Sequence, residues 1–211
     1  MRKSIVTVAL IFLISTFVSG RVIATFPELL NPDRMEMDEN RIYITEGIAI
    51  NIYSFKDFRL IRKFGKKGEG PREFARYIGI SLNNNRIYVN SQGKLSIYSV
   101  DGEFIKEMKT HSSLTGGFIP IGKFFIGRGM EIGKESNTSI LINLYDSELK
   151  KQRNIIKKLN DNSFAKGVIK FFDSTLNYNV IGNKLYVVNG TDFKIDVYDS
   201  DAKKILSIQR A

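Results

Sequence analysis

The chain has 211 residues, 43% hydrophobic and 26% charged, which is enough for a sizeable core and unlike a disordered composition. It has no cysteine, which excludes disulfides, thiolate metal sites and cysteine nucleophiles, and leaves no residue to carry a lipoprotein anchor. The net charge of +10 suits an anionic partner, but the basic residues are spread along the chain instead of lying on one helix, so nucleic acid is not the expected one.

Residues 1–20 read as a secretory signal peptide. Arg2 and Lys3 precede an apolar run from Ile5 to Phe17, and Val18-Ser19-Gly20 supplies the small residues before a cut at Gly20–Arg21. The remaining chain, 21–211, is then expected outside the cytoplasm, periplasmic or secreted. No later segment is apolar enough to span a bilayer as a helix.

Beyond the leader, one unit is written four times. Asn40-Arg41-Ile42-Tyr43-Ile44 precedes Ile52-Tyr53-Ser54, and Asn85-Arg86-Ile87-Tyr88-Val89 precedes Ile97-Tyr98-Ser99. Gly122-Lys123-Phe124-Phe125-Ile126 precedes Leu144-Tyr145-Asp146, and Asn183-Lys184-Leu185-Tyr186-Val187 precedes Val197-Tyr198-Asp199. Tyr53, Tyr98, Tyr145 and Tyr198 recur at steps of 45, 47 and 53 residues. A four-stranded propeller blade takes about 40–50 residues. The second unit predicts alternating strands near 77–82, 86–90, 94–99 and 104–109, with Asp101-Gly102 as a hairpin turn. The fourth repeats the scheme at 176–181, 183–188, 193–199 and 203–209.

Burial explains the repetition. One four-stranded sheet cannot cover both apolar faces and must stack on neighbours. The fold class read here is all-β: a β-propeller of four-stranded antiparallel blades at about 35–64, 77–109, 117–157 and 176–209. A β-sandwich or solenoid of the same hairpins is the competing arrangement, disfavoured by regular spacing without a helix.

Between the first two units the chain reads Lys63-Phe64-Gly65-Lys66-Lys67-Gly68-Glu69-Gly70-Pro71-Arg72-Glu73-Phe74. This resembles the junction of NHL-type repeats and of the exported bacterial six-bladed β-propeller family, in which F-G runs through G-x-G-P-x-x-F into the next blade. The resemblance implies six blades, so about four make an incomplete ring. Such a chain is a truncated product, or closes its ring through residues 22–30 or by self-association at open blade edges. The resemblance also places this junction on the face that carries ligands in propellers. Lys66, Lys67, Arg72 and Arg76 are the expected ligand-binding surface.

Catalytic chemistry finds little to stand on. The junction lacks the G-x-x-x-x-G-K-[ST] order of a phosphate loop, and its glycines are read as permitting a tight crossing stiffened by Pro71. The single histidine, His111, lies beside Ser112 and Ser113 in an expected loop, and no G-x-S-x-G elbow occurs. No catalytic, metal-ligating or cofactor-binding residue is assigned. Residues 127–136 are read as an irregular insert in the third unit, and 158–175 as a lengthened link. Asn137-Thr138-Ser139 and Asn189-Gly190-Thr191 match the glycosylation sequon. The expected function is an extracytoplasmic, non-catalytic binding or scaffolding module for a protein, peptide or anionic envelope polymer, without a cofactor. The alternatives are a metal-dependent hydrolase or lyase with its site in missing blades, and a non-functional fragment.

Overall fold

The computed structural model describes residues 21–110, 117–132, 138–160, 176–189 and 194–209. The leader 1–20, His111, residues 133–136 of the third-unit insert, the link from 161 to 175, Asn137 and Gly190-Thr191 lie outside them. The chain divides into two compact units, Met1–Leu30 and Asn31–Ala211. Of the first, residues 21–30 carry a turn in which the Leu29 amide donates to the Phe26 carbonyl at 3.0 Å, and no strand. Residues 22–30, one of the expected routes to ring closure, thus carry no strand of their own.

The second unit is all-β. Its first blade holds β1 (Arg34–Met37), β2 (Arg41–Glu46), β3 (Ala49–Ser54) and β4 (Leu60–Phe64), in that order across the sheet. A two-stranded clip, β5 (Lys66–Lys67) with β6 (Glu73–Phe74), lies in the crossing to the second blade. That blade holds β7 (Gly79–Asn83), β8 (Arg86–Ser91), β9 (Lys94–Ser99) and β10 (Phe104–Lys109). The third holds β11 (Phe118–Ile121), β12 (Phe124–Ile132), β13 (Thr138–Tyr145) and β14 (Lys151–Asn160). The fourth holds β15 (Leu176–Ile181), β16 (Lys184–Asn189), β17 (Lys194–Tyr198) and β18 (Lys204–Gln209). Each four-stranded sheet is an antiparallel meander. The first strands β1, β7, β11 and β15 are the inner ones, and all four line one central cavity of about 670 Å³. This is a propeller of four blades.

Apolar seams between blades hold it together. Tyr43, Ile50 and Ile52 of blade 1 pack with Phe74, Ile80, Ile87, Val89 and Tyr98 of the clip and blade 2. Tyr88, Leu95 and Ile97 turn to the other side and pack with Phe118, Phe125 and Tyr145 of blade 3. Ile126, Ile142 and Leu144 then meet Leu176, Leu185, Val187 and Tyr198 of blade 4. The second and third strands of blade 2 are covered on both faces. Ile87, Tyr88 and Val89 are all buried, as are Leu95, Ser96, Ile97 and Tyr98, as stacking of blades on both sides requires. Full burial of each such apolar side chain contributes about 1.5–3 kcal/mol.

The recurring tyrosines mark a repeated turn. The ladder between third and outer strands slips just before or after each of them. The turn after each tyrosine is closed by amides donating to carbonyls at Ser54–Arg59, Ser99–Glu103, Asp146–Lys150 and Asp199–Lys203. It passes through a left-handed residue, which is Phe58, Gly102, Leu149 or Ala202. In blades 3 and 4 one carboxylate oxygen, of Asp146 or Asp199, accepts two amides of its own turn and offsets the strain of a side chain there.

Residues 127–132 correct the expected irregular insert. They continue β12 and pair in register with β13 from Arg128↔Ile142 to Ile132↔Thr138. Gly127 belongs in this strand because a Cβ there would press on the rings of Tyr145 and Phe118 at 2.9 and 3.2 Å.

Candidate functional site

Antiparallel order sorts the loops into two ends. The blade-to-blade crossings and the turns between second and third strands share one, here the junction end. The turns after each first strand and each third strand share the far end.

At the junction end, Phe64 closes β4 and Gly65 turns the chain with φ +118° so tightly that a Cβ would collide with the Ile48 carbonyl. Lys66 and Lys67 pair in parallel with Glu73 and Phe74. Glu73 knots the loop between them. One of its carboxylate oxygens accepts the Gly70 amide at 3.1 Å, the other meets Lys66 Nζ at 2.7 Å, and its own amide donates to the Gly70 carbonyl at 3.1 Å. The Lys66 contact, then the Gly70 amide, hold the Glu73 carboxyl below the usual carboxylate range, and the same contact raises the Lys66 ammonium. Phe74, fully buried, anchors the clip in the first seam.

A buried lysine holds the clip from below. Lys94 Nζ donates to the Gly70 carbonyl at 2.7 Å and lies 3.6 Å from Glu107, whose Oε2 also accepts from Ser96 Oγ and the Arg72 amide. Burial, and then the Glu107 charge, push the nearby Tyr98 hydroxyl up to about 12.

The four basic residues expected here therefore separate. Lys66 is neutralised by Glu73. Arg72, at φ +62°, lies over the Phe104 ring at 4.7 Å, a cation–π contact with the outer strand of blade 2. Lys67 and Arg76 converge on a depression of about 430 Å³, which Glu69 and Gln92 also line. Beside Arg76, Tyr77 is 82% exposed. Glu73, Tyr77, Gln92, Lys94 and Glu107 were missed by sequence reasoning. Only the charge alternation within 66–73 hinted at any of them.

The central cavity is the second candidate. Asn83 Nδ2 reaches the Pro120 carbonyl at 3.1 Å and Asn183 Oδ1 at 3.2 Å, tying blade 2 to blades 3 and 4. Glu36, on the exposed strand β1, lines this cavity, where partial desolvation raises its carboxyl and Arg34 partly offsets it. Among the described residues no three histidine, aspartate or glutamate side chains gather as a metal-binding group, and no helix is long and apolar enough to cross a membrane.

Residues 27–119, less than half the chain, match a family model described as a 6-bladed beta-propeller. No curated protein matches this chain. Among solved structures it is similar to KlHsv2 with loop 6CD replaced by a Gly-Ser linker, at 14% identity and TM-score 0.47, over 84% of this chain and 51% of that one. It is also similar to PorZ, a bacterial surface component of the type-IX secretion system of Porphyromonas gingivalis, at 12% identity and TM-score 0.46, over 86% and 21%. Hsv2 of Kluyvelomyces marxianus follows at 9% identity and TM-score 0.38, over 90% and 75%. The chain thus spans about half of the first of these chains and about a fifth of the second.

Proposed function

We propose that this chain is an exported, non-catalytic binding propeller of NHL type. Its contact surface is the junction end, centred on Lys67 and Arg76, and its ligand is an anionic envelope polymer or an acidic protein segment. Export rests on the charged, apolar and small-residue order of 1–20. The observation that carries the binding surface is the convergence of Lys67, Arg76 and Gln92 on one depression, beside exposed Tyr77, on a loop held by Glu73 and buried Lys94. A loop so fixed loses little entropy when a ligand docks, and two cations beside an aromatic ring suit a polar chain bearing negative groups.

The test is binding of the mature chain to anionic polysaccharide, followed at rising salt. Affinity should fall as salt rises and drop roughly tenfold when Lys67 and Arg76 are both changed to Ala, the loss expected for two contacts of about 0.7 kcal/mol each. Salt-independent binding, or binding indifferent to both substitutions, contradicts this surface.

A further inference from the structure

At the far end, the seam between blades 1 and 2 is closed by charge. Arg41, first residue of β2, meets the Asp101 carboxylate at 2.5 Å, and Arg62 on β4 pairs with Glu103 and reaches the Asp101 carbonyl. Both acids belong to the turn after the third strand of blade 2. Between blades 3 and 4 the same outer-strand position holds Arg153, which donates to the carbonyls of Asp201 and Ala202 at 2.8 and 2.9 Å.

The ladder registers identify the equivalents between blades 2 and 3. Arg86 stands opposite Ser99 as Arg41 stands opposite Ser54, and Lys106 stands opposite Ile97 as Arg62 stands opposite Ile52. In the facing turn, Glu103 is replaced by Lys150 and Asp101 by Glu148. Glu148 is exposed, and among the described residues it makes no ion pair. The other acid of that turn, Asp146, commits its carboxylate to Glu148 N, Lys150 N and Gln152 Nε2. A groove of about 360 Å³ opens here, lined by Arg86, Lys106 and a third cation, Lys123, with Tyr88, Phe124 and Ser147. Lys123 lies over the Phe124 ring at 5.1 Å, and among the described residues no carboxylate pairs with Arg86, Lys106 or Lys123.

We infer that this groove binds an oxyanion group, the carboxylate, sulfate or phosphate of an acidic ligand. Three cations around one small groove repel each other, and an anion relieves that repulsion. The Arg86 fork suits two oxygens of one group, and the two ammonium groups and the Ser147 hydroxyl supply further donors. The site lies at the opposite end from Lys67 and Arg76, so it stands or falls independently of the junction surface.

The test is titration of the folded chain with inorganic phosphate, inorganic sulfate and a uronic-acid trimer, followed by amide chemical shifts and calorimetry. Saturable shifts at Arg86, Lys123 and Ser147 are expected, tighter for phosphate if the natural ligand is a phosphate ester and tighter for the trimer if it is an acidic glycan. Lys106→Ala and Lys150→Glu should each weaken binding at least tenfold, while Lys109→Ala, on the exposed end of β10, leaves it unchanged. Lys150→Glu installs the acid that Glu103 supplies one seam earlier, so it should melt no lower than the parent, whereas a merely structural lysine would lower the melting temperature. The inference is overturned if none of the three probes gives saturable shifts in the groove, or if Lys150→Glu binds as tightly as the parent.

Discussion

The seam between blades 1 and 2 and the seam between blades 2 and 3 are built alike inside and differently at the rim. Inside, each buries aliphatic and aromatic side chains of a second and third strand against the next blade: Tyr43, Ile50 and Ile52 in one, Tyr88, Leu95 and Ile97 in the other. At the rim, two arginines face two acids in the first seam, while in the second two cations face Lys150 and Glu148, which makes no ion pair among the described residues. The apolar layer fixes the architecture and tolerates no change of character. The rim contributes little to stability and is free to serve recognition.

That division can be broken first where the two seams should agree. Phe74→Ala in the first and Phe118→Ala in the second each remove a ring that is all but fully buried, and each should cost about 3–5 kcal/mol in denaturant unfolding. A loss below about 1 kcal/mol at either site would mean that the layer there is not packed as described. Phe118 meets Phe125 and Tyr145 edge-to-face at 6.4 and 5.0 Å, so its loss should also disturb their near-ultraviolet signals.

A smaller effect belongs to Lys94, the buried lysine beneath the crossing of the first seam. Its side chain is only 9% exposed, and Lys94→Met leaves the Gly70 carbonyl and part of Glu107 unmatched, a cost of about 1–3 kcal/mol. The junction amides from Gly68 to Phe74 should exchange faster in this variant, while those of β12 and β13 do not change. Smaller again is the rim pair itself: a double-mutant cycle on Arg62 and Glu103 should give about 0.5 kcal/mol, declining with salt.

The smallest effect concerns pH. The Glu73 carboxyl is held low by Lys66 and the Gly70 amide, so its contribution is present above its ordinary pKa and is lost as pH falls through the depressed value. Glu73→Gln should therefore lower the neutral plateau slightly and flatten the acid limb, the two proteins converging at low pH where Glu73 is protonated. A variant whose acid limb stays as steep as the parent's would show that Lys66 and Gly70 do not hold that carboxylate.

Much of this fold was legible because its signal is periodic. Tyr53, Tyr98, Tyr145 and Tyr198 occupy one structural position, ahead of a turn that needs a left-handed residue. Asp101-Gly102 announced that turn in blade 2. Leu149 and Ala202 did not, since there the work falls to Asp146 and Asp199, and a carboxylate capping its own turn looks in sequence like any surface acid. Gly127 and Gly129 read as loop residues because the sequence does not show which rings will approach a strand; Gly127 sits against Tyr145 and Phe118, and Gly129 close to Asn143. Lys94 stood only as the first residue of an expected strand, and it is covered by a loop some 24 residues away in sequence whose Gly70 carbonyl it meets. The cations of the second seam were equally hidden. Arg86, Lys106 and Lys123 are ordinary one by one, and only the register of two sheets brings them to one groove.

The whole architecture rests on blades burying their apolar faces against each other. Residue-resolved hydrogen exchange tests it most directly. Amides of β8 and β9, covered on both faces, should be the most protected in blade 2 and should open together with β2 and β3 across the first seam, while β10 exchanges sooner. Protection of β8 and β9 no greater than that of β10, or blades 1 and 2 opening as unrelated units, would contradict it.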